Sequence, residues 1–294
     1  MQARFTDAQI ALESAYAQIA GNGQENMALC CDFLSYRLSL FSDISPRYAA
    51  DERYEALLSR HDAAWIHLWN AINAYYYAVI GQADMMPPVF AEHRLSTINF
   101  LAPGKPMMEM IENQVYLAQG AYTRVIGRSE GQLAVCGAMH YALVALHIRI
   151  QTAAAYELLG KPAQAHELLA RALADAEPDG FVMPFVENYD LLGPLLAREV
   201  RSGLIDRIIG LGEAAKARRA GAARPDPFDA LTQREYEIVK LVAERLSNRE
   251  IAGMLFLSEG SVKQYMNQIY SKLHIEGDLR TKRKQLAERF LQNT

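Results

Sequence analysis

From Phe5 to about Glu177 the apolar residues recur at intervals of three and four, with almost no two-residue alternation. That pattern predicts helices and no sheet, so the body reads as all-α. Short Gly, Pro or Asp punctuations separate the helical stretches. In one of them, Ala134 to Leu159, the residues Leu143, Leu146, Ile150 and Ala154 fall on a single buried stripe. The following Gly160-Lys-Pro162 stops that stretch and opens the next. Breaks at Gly81, Gly120 and Gly160 are 39 and 40 residues apart, with Ser42 to Pro46 a similar distance upstream. A period near 40 fits two helices per unit, as in a solenoid of stacked helical hairpins. An irregular helical bundle satisfies the same pattern.

Glu177-Pro-Asp-Gly breaks the helical rhythm, and Val182-Met-Pro-Phe-Val leads into a further predicted helix from about Pro194 to Ala220. The stretch Lys216 to Pro227 is small, basic and twice interrupted by proline, and it cannot build a core. The chain therefore divides into a helical body over residues 1–197, a helix and basic linker over 198–227, and a C-terminal domain over 228–294. Their formal charges are −9, +3 and +2. An acidic body repels phosphate, so only the C-terminal third suits nucleic acid. The basic cluster in the linker fits either a phosphate contact or a solvated helix end favoured by the macrodipole.

In the last domain, Thr232-Gln-Arg-Glu235 and Ser247-Asn-Arg-Glu250 are capping boxes, each placed to start a helix. Ile238, Val239, Leu241 and Val242 supply the apolar face of the first, and Ile251, Ala252 and Leu255 that of the second. Ser258 is placed to cap a third after the connection Leu255 to Leu257, the tight spacing of a helix-turn-helix. Val262, Met266, Ile269 and Leu273, at steps of four, three and four, form one narrow buried stripe on it. At about 100 degrees per residue, Gln264, Asn267, Gln268 and Ser271 then point away from the stripe, with Lys263 and Tyr265 on its flanks. That face carries amides and an ammonium, with no carboxylate between Ser261 and His274, and it suits readout of base edges in a major groove.

The segments Leu231-Thr-Gln-Arg-Glu-Tyr-Glu-Ile-Val, Leu246-Ser-Asn-Arg-Glu-Ile-Ala, Leu257-Ser-Glu-Gly-Ser-Val-Lys and Ile269-Tyr-Ser-Lys-Leu resemble, in order and without gaps over roughly 45 residues, the signatures of the LuxR-type (GerE) helix-turn-helix family. The resemblance implies a four-helix DNA-binding domain with Ser258–Leu273 as recognition helix. It implies base contacts from Lys263, Gln264 and Asn267, and backbone contacts from Ser258, Ser261, Tyr270 and Lys272. It also implies a homodimer on double-stranded DNA through a fourth helix at about Lys282 to Gln292, where Leu286 and Phe290 form a small apolar patch; the same pair could pack on its own domain. Tyr265 stands where the family usually has histidine, and Glu276-Gly-Asp-Leu-Arg replaces the common Asn-Arg pair, which leaves the docking of the fourth helix open.

Within the body, Leu117-Ala-Gln-Gly-Ala-Tyr and Leu158-Leu-Gly-Lys-Pro-Ala resemble the turn of tetratricopeptide-like repeats. The body as a whole is similar to the solenoid of the large ATP-dependent LuxR regulators, of the maltose-operon activator type, with Pro178-Asp-Gly-Phe-Val-Met-Pro-Phe as the most suggestive local match. The sequence contains no G-x-x-x-x-G-K-[ST] phosphate loop, so the NTPase of those regulators is not in this chain.

Other chemistry is sparse. Three cysteines give neither a disulfide framework nor metal spacing, and no motif implies a cofactor or metal. Cys136, His140 and His147 share a face of the predicted Ala134–Leu159 helix but lack an orienting acid, which reads as core packing rather than catalysis. Trp65, Trp69 and Tyr76 either pack helices together or line an effector pocket. The longest apolar run, Leu133 to Ile148, carries two histidines and is too short for a bilayer, and Met1-Gln-Ala-Arg-Phe-Thr has no secretory pattern. The expectation is a cytoplasmic, non-enzymatic DNA-binding transcription regulator whose body senses a small molecule or protein. The alternative is a helical-repeat interaction scaffold that does not bind DNA.

Overall fold

The structure, a computed structural model, describes residues 1–22, 27–42, 63–83, 86–98, 102–221, 228, 231–255, 257–273, 275 and 277–292. The described residues are helical and contain no β-strand. Two compact units divide the chain, with Arg218 the last residue of the first and Arg219 opening the C-terminal part of the second. The division falls inside the segment 198–227 read from sequence as helix and linker.

The first unit begins with α1 (Phe5–Asn22), α2 (Ala28–Phe41), α3 (Ala63–Val79) and the single turn α4 (Pro88–Ala91). It continues with α5 (Lys105–Ala118), α6 (Tyr122–Ala138), α7 (Ala142–Leu158) and α8 (Pro162–Ala176). The short α9 (Met183–Val186) and α10 (Tyr189–Leu196) lead into α11 (Gly203–Gly221). From α5 to α8 each helix packs on the next, and α5 also packs on α7.

The turns after α5, α6, α7 and α8 share one design. Gly120, His140, Gly160 and Gly180 have φ of 75°, 56°, 67° and 62°, and lie 20 residues apart. In each, the following amide donates to the carbonyl five residues back: Ala121 to Tyr116, Tyr141 to Cys136, Lys161 to Tyr156, Phe181 to Ala176. The left-handed residue thus lets two amides reach back and satisfy carbonyls at the helix end.

Two sequence expectations change here. Ala134–Leu159 is two helices, not one, because His140 adopts a left-handed conformation that histidine rarely takes and that pattern reading assigns to glycine. Cys136, His140 and His147 therefore sit on one helix, a turn and the next helix, and Leu143 is 37% exposed rather than part of the stripe. The Pro194–Ala220 helix is likewise divided. The chain turns after Leu196, and α11 starts afresh where the Ser202 hydroxyl accepts from the Ile205 amide at 3.3 Å.

One core of this unit joins Leu146, Ile150 and Ala154 of α7 to Leu169 of α8, Phe185 of α9, Leu192 of α10 and Ile208 and Ala215 of α11. A second joins Tyr75 and Ala74 of α3 to Ile111 and Val115 of α5 and Ile148 of α7. Gly212 lies against the Tyr189 ring, where a Cβ would overlap it, so α10 and α11 approach closely only with glycine there.

The second unit holds α12 (Gln233–Ala243), α13 (Asn248–Leu255), α14 (Glu259–Lys272) and α15 (Leu279–Gln292) around their own core. Phe228, Tyr236 and Phe290 meet with ring centroids 5.5 to 6.4 Å apart, joining the segment before α12 to α12 and α15.

Candidate nucleic-acid interface

Each helix of the second unit starts at a side-chain cap. Thr232 Oγ1 accepts from the Glu235 amide at 3.1 Å while Glu235 returns to the Thr232 amide at 2.7 Å. Ser247 and Glu250 repeat the exchange at 3.3 and 2.7 Å, and these bonds to Ser247 hold the Glu250 carboxyl below its usual range. Ser258 Oγ accepts from the Ser261 amide at 3.0 Å. Asp278 accepts from the Thr281 amide at 2.7 Å, which lowers its own pKa and starts the fourth helix at Leu279, three residues earlier than the sequence pattern indicates.

Helix ends are closed by arginines from elsewhere in the unit. Arg234 of α12 donates to the Leu255 carbonyl at 2.7 Å, at the end of α13. Arg283 of α15 donates to the Leu246 carbonyl beyond α12 and to Asn248 Oδ1 at 2.6 Å. Arg289 of α15 donates to the Leu273 carbonyl, at the end of α14, at 2.8 Å. Cations suit carbonyls at helix C-termini, and these contacts fix the angles between helices. They also dock α15 despite the unusual Glu276-Gly-Asp-Leu-Arg entry. None of the three was singled out from sequence, where their only signal was their charge.

The recognition-helix geometry follows. Val262, Met266, Ile269 and Leu273 are all buried, while Lys263, Gln264, Asn267, Gln268 and Ser271 are exposed. Among the described residues, no hydrogen bond or ion pair engages Lys263, Gln264 or Asn267. Ser258 is exposed and Ser261 half-buried at the start of the same helix, their hydroxyls 2.9 Å apart. Tyr265 is half-buried against the core.

The other two residues placed at phosphate by the family pattern are engaged within the domain, Tyr270 by burial and Lys272, still exposed, by an ion pair. Tyr270 is buried, which raises its pKa, with the Lys282 ammonium 5.7 Å from its ring. Lys272 pairs with buried Glu235 at 2.7 Å and so ties the end of α14 to the cap of α12. Leu286 is fully buried and Phe290 8% exposed, both within the core of their own domain. The exposed apolar residues of α15 are instead Leu279 and Leu291.

In the first unit, Trp65 and Trp69 pack around Leu29 and Ile72, and Tyr76 lies 5.1 Å from the Tyr36 ring and 5.4 Å from that of Tyr77. A cleft is lined by other residues, from the N-terminal segment, α1, α2 and the chain around α9. Among the described residues no helix is long and apolar enough to cross a membrane.

Three closely spaced capped helices, the third with a polar face free of internal partners, braced by a fourth, define a helix-turn-helix domain of the nucleic-acid-binding class. Comparison with known families gives the particular one. Residues 229–281 match the family described as bacterial regulatory proteins, luxR family, and are a LuxR-type helix-turn-helix domain. The chain is 36% identical over 92 residues to the DNA-binding transcriptional activator DevR/DosR of Mycobacterium tuberculosis, covering 30% of this chain and 42% of that protein. It is 31% identical over 104 residues to the nitrate/nitrite response regulator protein NarP of Escherichia coli, covering 35% and 47%. It is 34% identical over 82 residues to the transcriptional regulatory protein LiaR of Bacillus subtilis, covering 28% and 34%. The chain thus spans less than half the length of these relatives. No solved structure matches it.

Proposed function

We propose that the protein is a sequence-specific DNA-binding transcription regulator in which α14 enters the major groove and the helical body carries the controlling ligand or protein. The observation that carries this reading is the exposed, internally unengaged face of Lys263, Gln264 and Asn267 on a capped helix of a LuxR-type domain. Amides and an ammonium there match the donor and acceptor pattern of base edges. Ser258 and Ser261 offer hydroxyls to the DNA backbone at the helix start, while Tyr270 and Lys272 hold the helix in place. The relatives named for DNA binding and transcriptional activation or regulation support the assignment. A second copy of the chain binds the adjacent half-site, about one helical turn away, and α15 offers it Leu279 and Leu291.

The test is a titration of the full chain against a duplex selected from a randomised pool and against random duplex, each over a range of salt. Specific binding is expected to weaken steeply with salt. The double variant Lys263→Ala, Gln264→Ala is expected to reduce discrimination between the two duplexes, each good base contact contributing about 1–3 kcal/mol. No binding at low salt overturns the regulator, and unchanged discrimination overturns the base-reading residues.

A further inference from the structure

A cleft of about 640 Å³ lies between the N-terminal segment, α1, α2 and the chain around α9, a volume in the range of small-molecule sites, with the exposed Arg4–Asp7 ion pair at its lining. Ala8, Ala11, Leu34, Leu38 and Phe181 form apolar walls, and its most deeply buried polar lining is an ion pair, Arg37 with Glu187. The Glu187 side chain is 1% exposed and that of Arg37 15%. Arg37 donates through Nε to Glu187 Oε1 at 2.9 Å, and through Nη2 to the same oxygen and to the Met1 sulfur at 3.7 Å. The Tyr75 hydroxyl donates to Oε2. The guanidinium is held over the Phe33 and Tyr75 rings at 5.4 and 5.9 Å. Burial opposes both charges, but each stabilises the other, and both groups stay ionised.

The hydrogen-bond capacity of this pair is unequal. Glu187 accepts three bonds of about four possible, while the five guanidinium N–H groups of Arg37 make three, none of them through Nη1. Nη1 has no protein acceptor and is not sealed from solvent, and Arg37 lines the cleft, so an anion there can accept from it in a charge-assisted hydrogen bond. We propose that this cleft binds an organic acid with an apolar chain or ring, its carboxylate on Arg37 Nη1 and its body between α1 and α2. An alcohol brings no charge to the guanidinium, and an amine is repelled by it. Only the use of the bound acid as the controlling signal rests on the regulator reading; the binding itself does not.

Decanoate, octanoate, decanol and decylamine, each below its micellar concentration, are titrated calorimetrically into the full chain. Saturable binding of one molecule is expected for the acids alone, roughly fourfold tighter per added methylene. Leu34→Trp, at a position 49% exposed on the cleft wall, is expected to weaken decanoate at least tenfold with an unchanged melting temperature. Arg37→Lys keeps Glu187 paired but cannot serve two carboxylates in the same fork geometry, and is expected to weaken decanoate similarly. Absence of saturable acid binding, equal binding of decanol, or binding unaffected by both variants overturns the site. DNA affinity of the same chain with and without decanoate is read separately: loss of DNA binding in the untreated chain refutes the regulator and leaves the calorimetric result standing.

Discussion

His147 is 3% exposed, and burial pushes its pKa down to about 4. Glu187 pulls the other way and Arg37 adds to the depression. Since the unfolded imidazole titrates near 6.5, the unfolded state takes up a proton between pH 6.5 and 4 that the folded state refuses. Stability of the first unit is therefore expected to fall as pH drops through that window, by up to about 3 kcal/mol, and to gain nothing from His147 above it. Glu187, whose pKa is depressed, adds a loss at lower pH, below the ordinary carboxylate value. Urea unfolding at a series of pH values checks this. His147→Leu is expected to flatten the upper part of the slope and leave the lower part, and an unchanged slope refutes it. None of this could be read in the sequence, where His147 was one residue of an apparent Cys136–His140–His147 face. That face depended on a helix continuing through His140, and the backbone there turns instead.

At the level of elements, the 20-residue spacing of left-handed turns defines the hairpins of α5 to α8. The sequence revealed every second turn of the set, Gly120 and Gly160, and hence a period near 40. His140 is hidden because glycine is the residue that signals a positive φ, and Gly180 shows in Glu177-Pro-Asp-Gly only as a break in the helical rhythm, not as a member of the series. The two kinds of turn give opposite expectations. Gly160→Ala places a Cβ in open space but forces φ of 67° on alanine, so it is expected to destabilise by about 1 kcal/mol. His140→Gly relieves that strain against a smaller entropy gain of the unfolded chain, and it is expected not to destabilise. Denaturant midpoints at constant slope compare the two. In the C-terminal unit the first three helix starts are legible because a cap is a contact across three residues, and the Ser247 and Ser258 caps form as the sequence indicates; the Asp278 start of the fourth is not.

At the scale of the molecule, each unit has a core of its own, so residues 219–294 alone are expected to show helical circular dichroism and a cooperative melt. A fragment beginning at residue 231 loses Phe228, fully buried between Tyr236 and Phe290, and is expected to be less stable by about 3 kcal/mol or more. Equal melting of the two fragments would show that Phe228 contributes nothing to the core. The family of the C-terminal domain, its first three capped helices and the outward face of Lys263, Gln264 and Asn267 were determined by sequence alone. Capping and the 3.6-residue period act between residues a turn apart, so order along the chain is enough to place them. Only the tertiary structure decided which cations remain free. Arg234, Arg283, Arg289 and Lys272 are committed to carbonyls and to Glu235, in contacts spanning 16 to 37 residues. It also turned Leu286 and Phe290 inward and brought Arg37 to Glu187, 150 residues away, beside the cleft. Such contacts depend on how helices meet, and a local pattern of apolar and polar residues gives each helix a face without saying which partner will cover it.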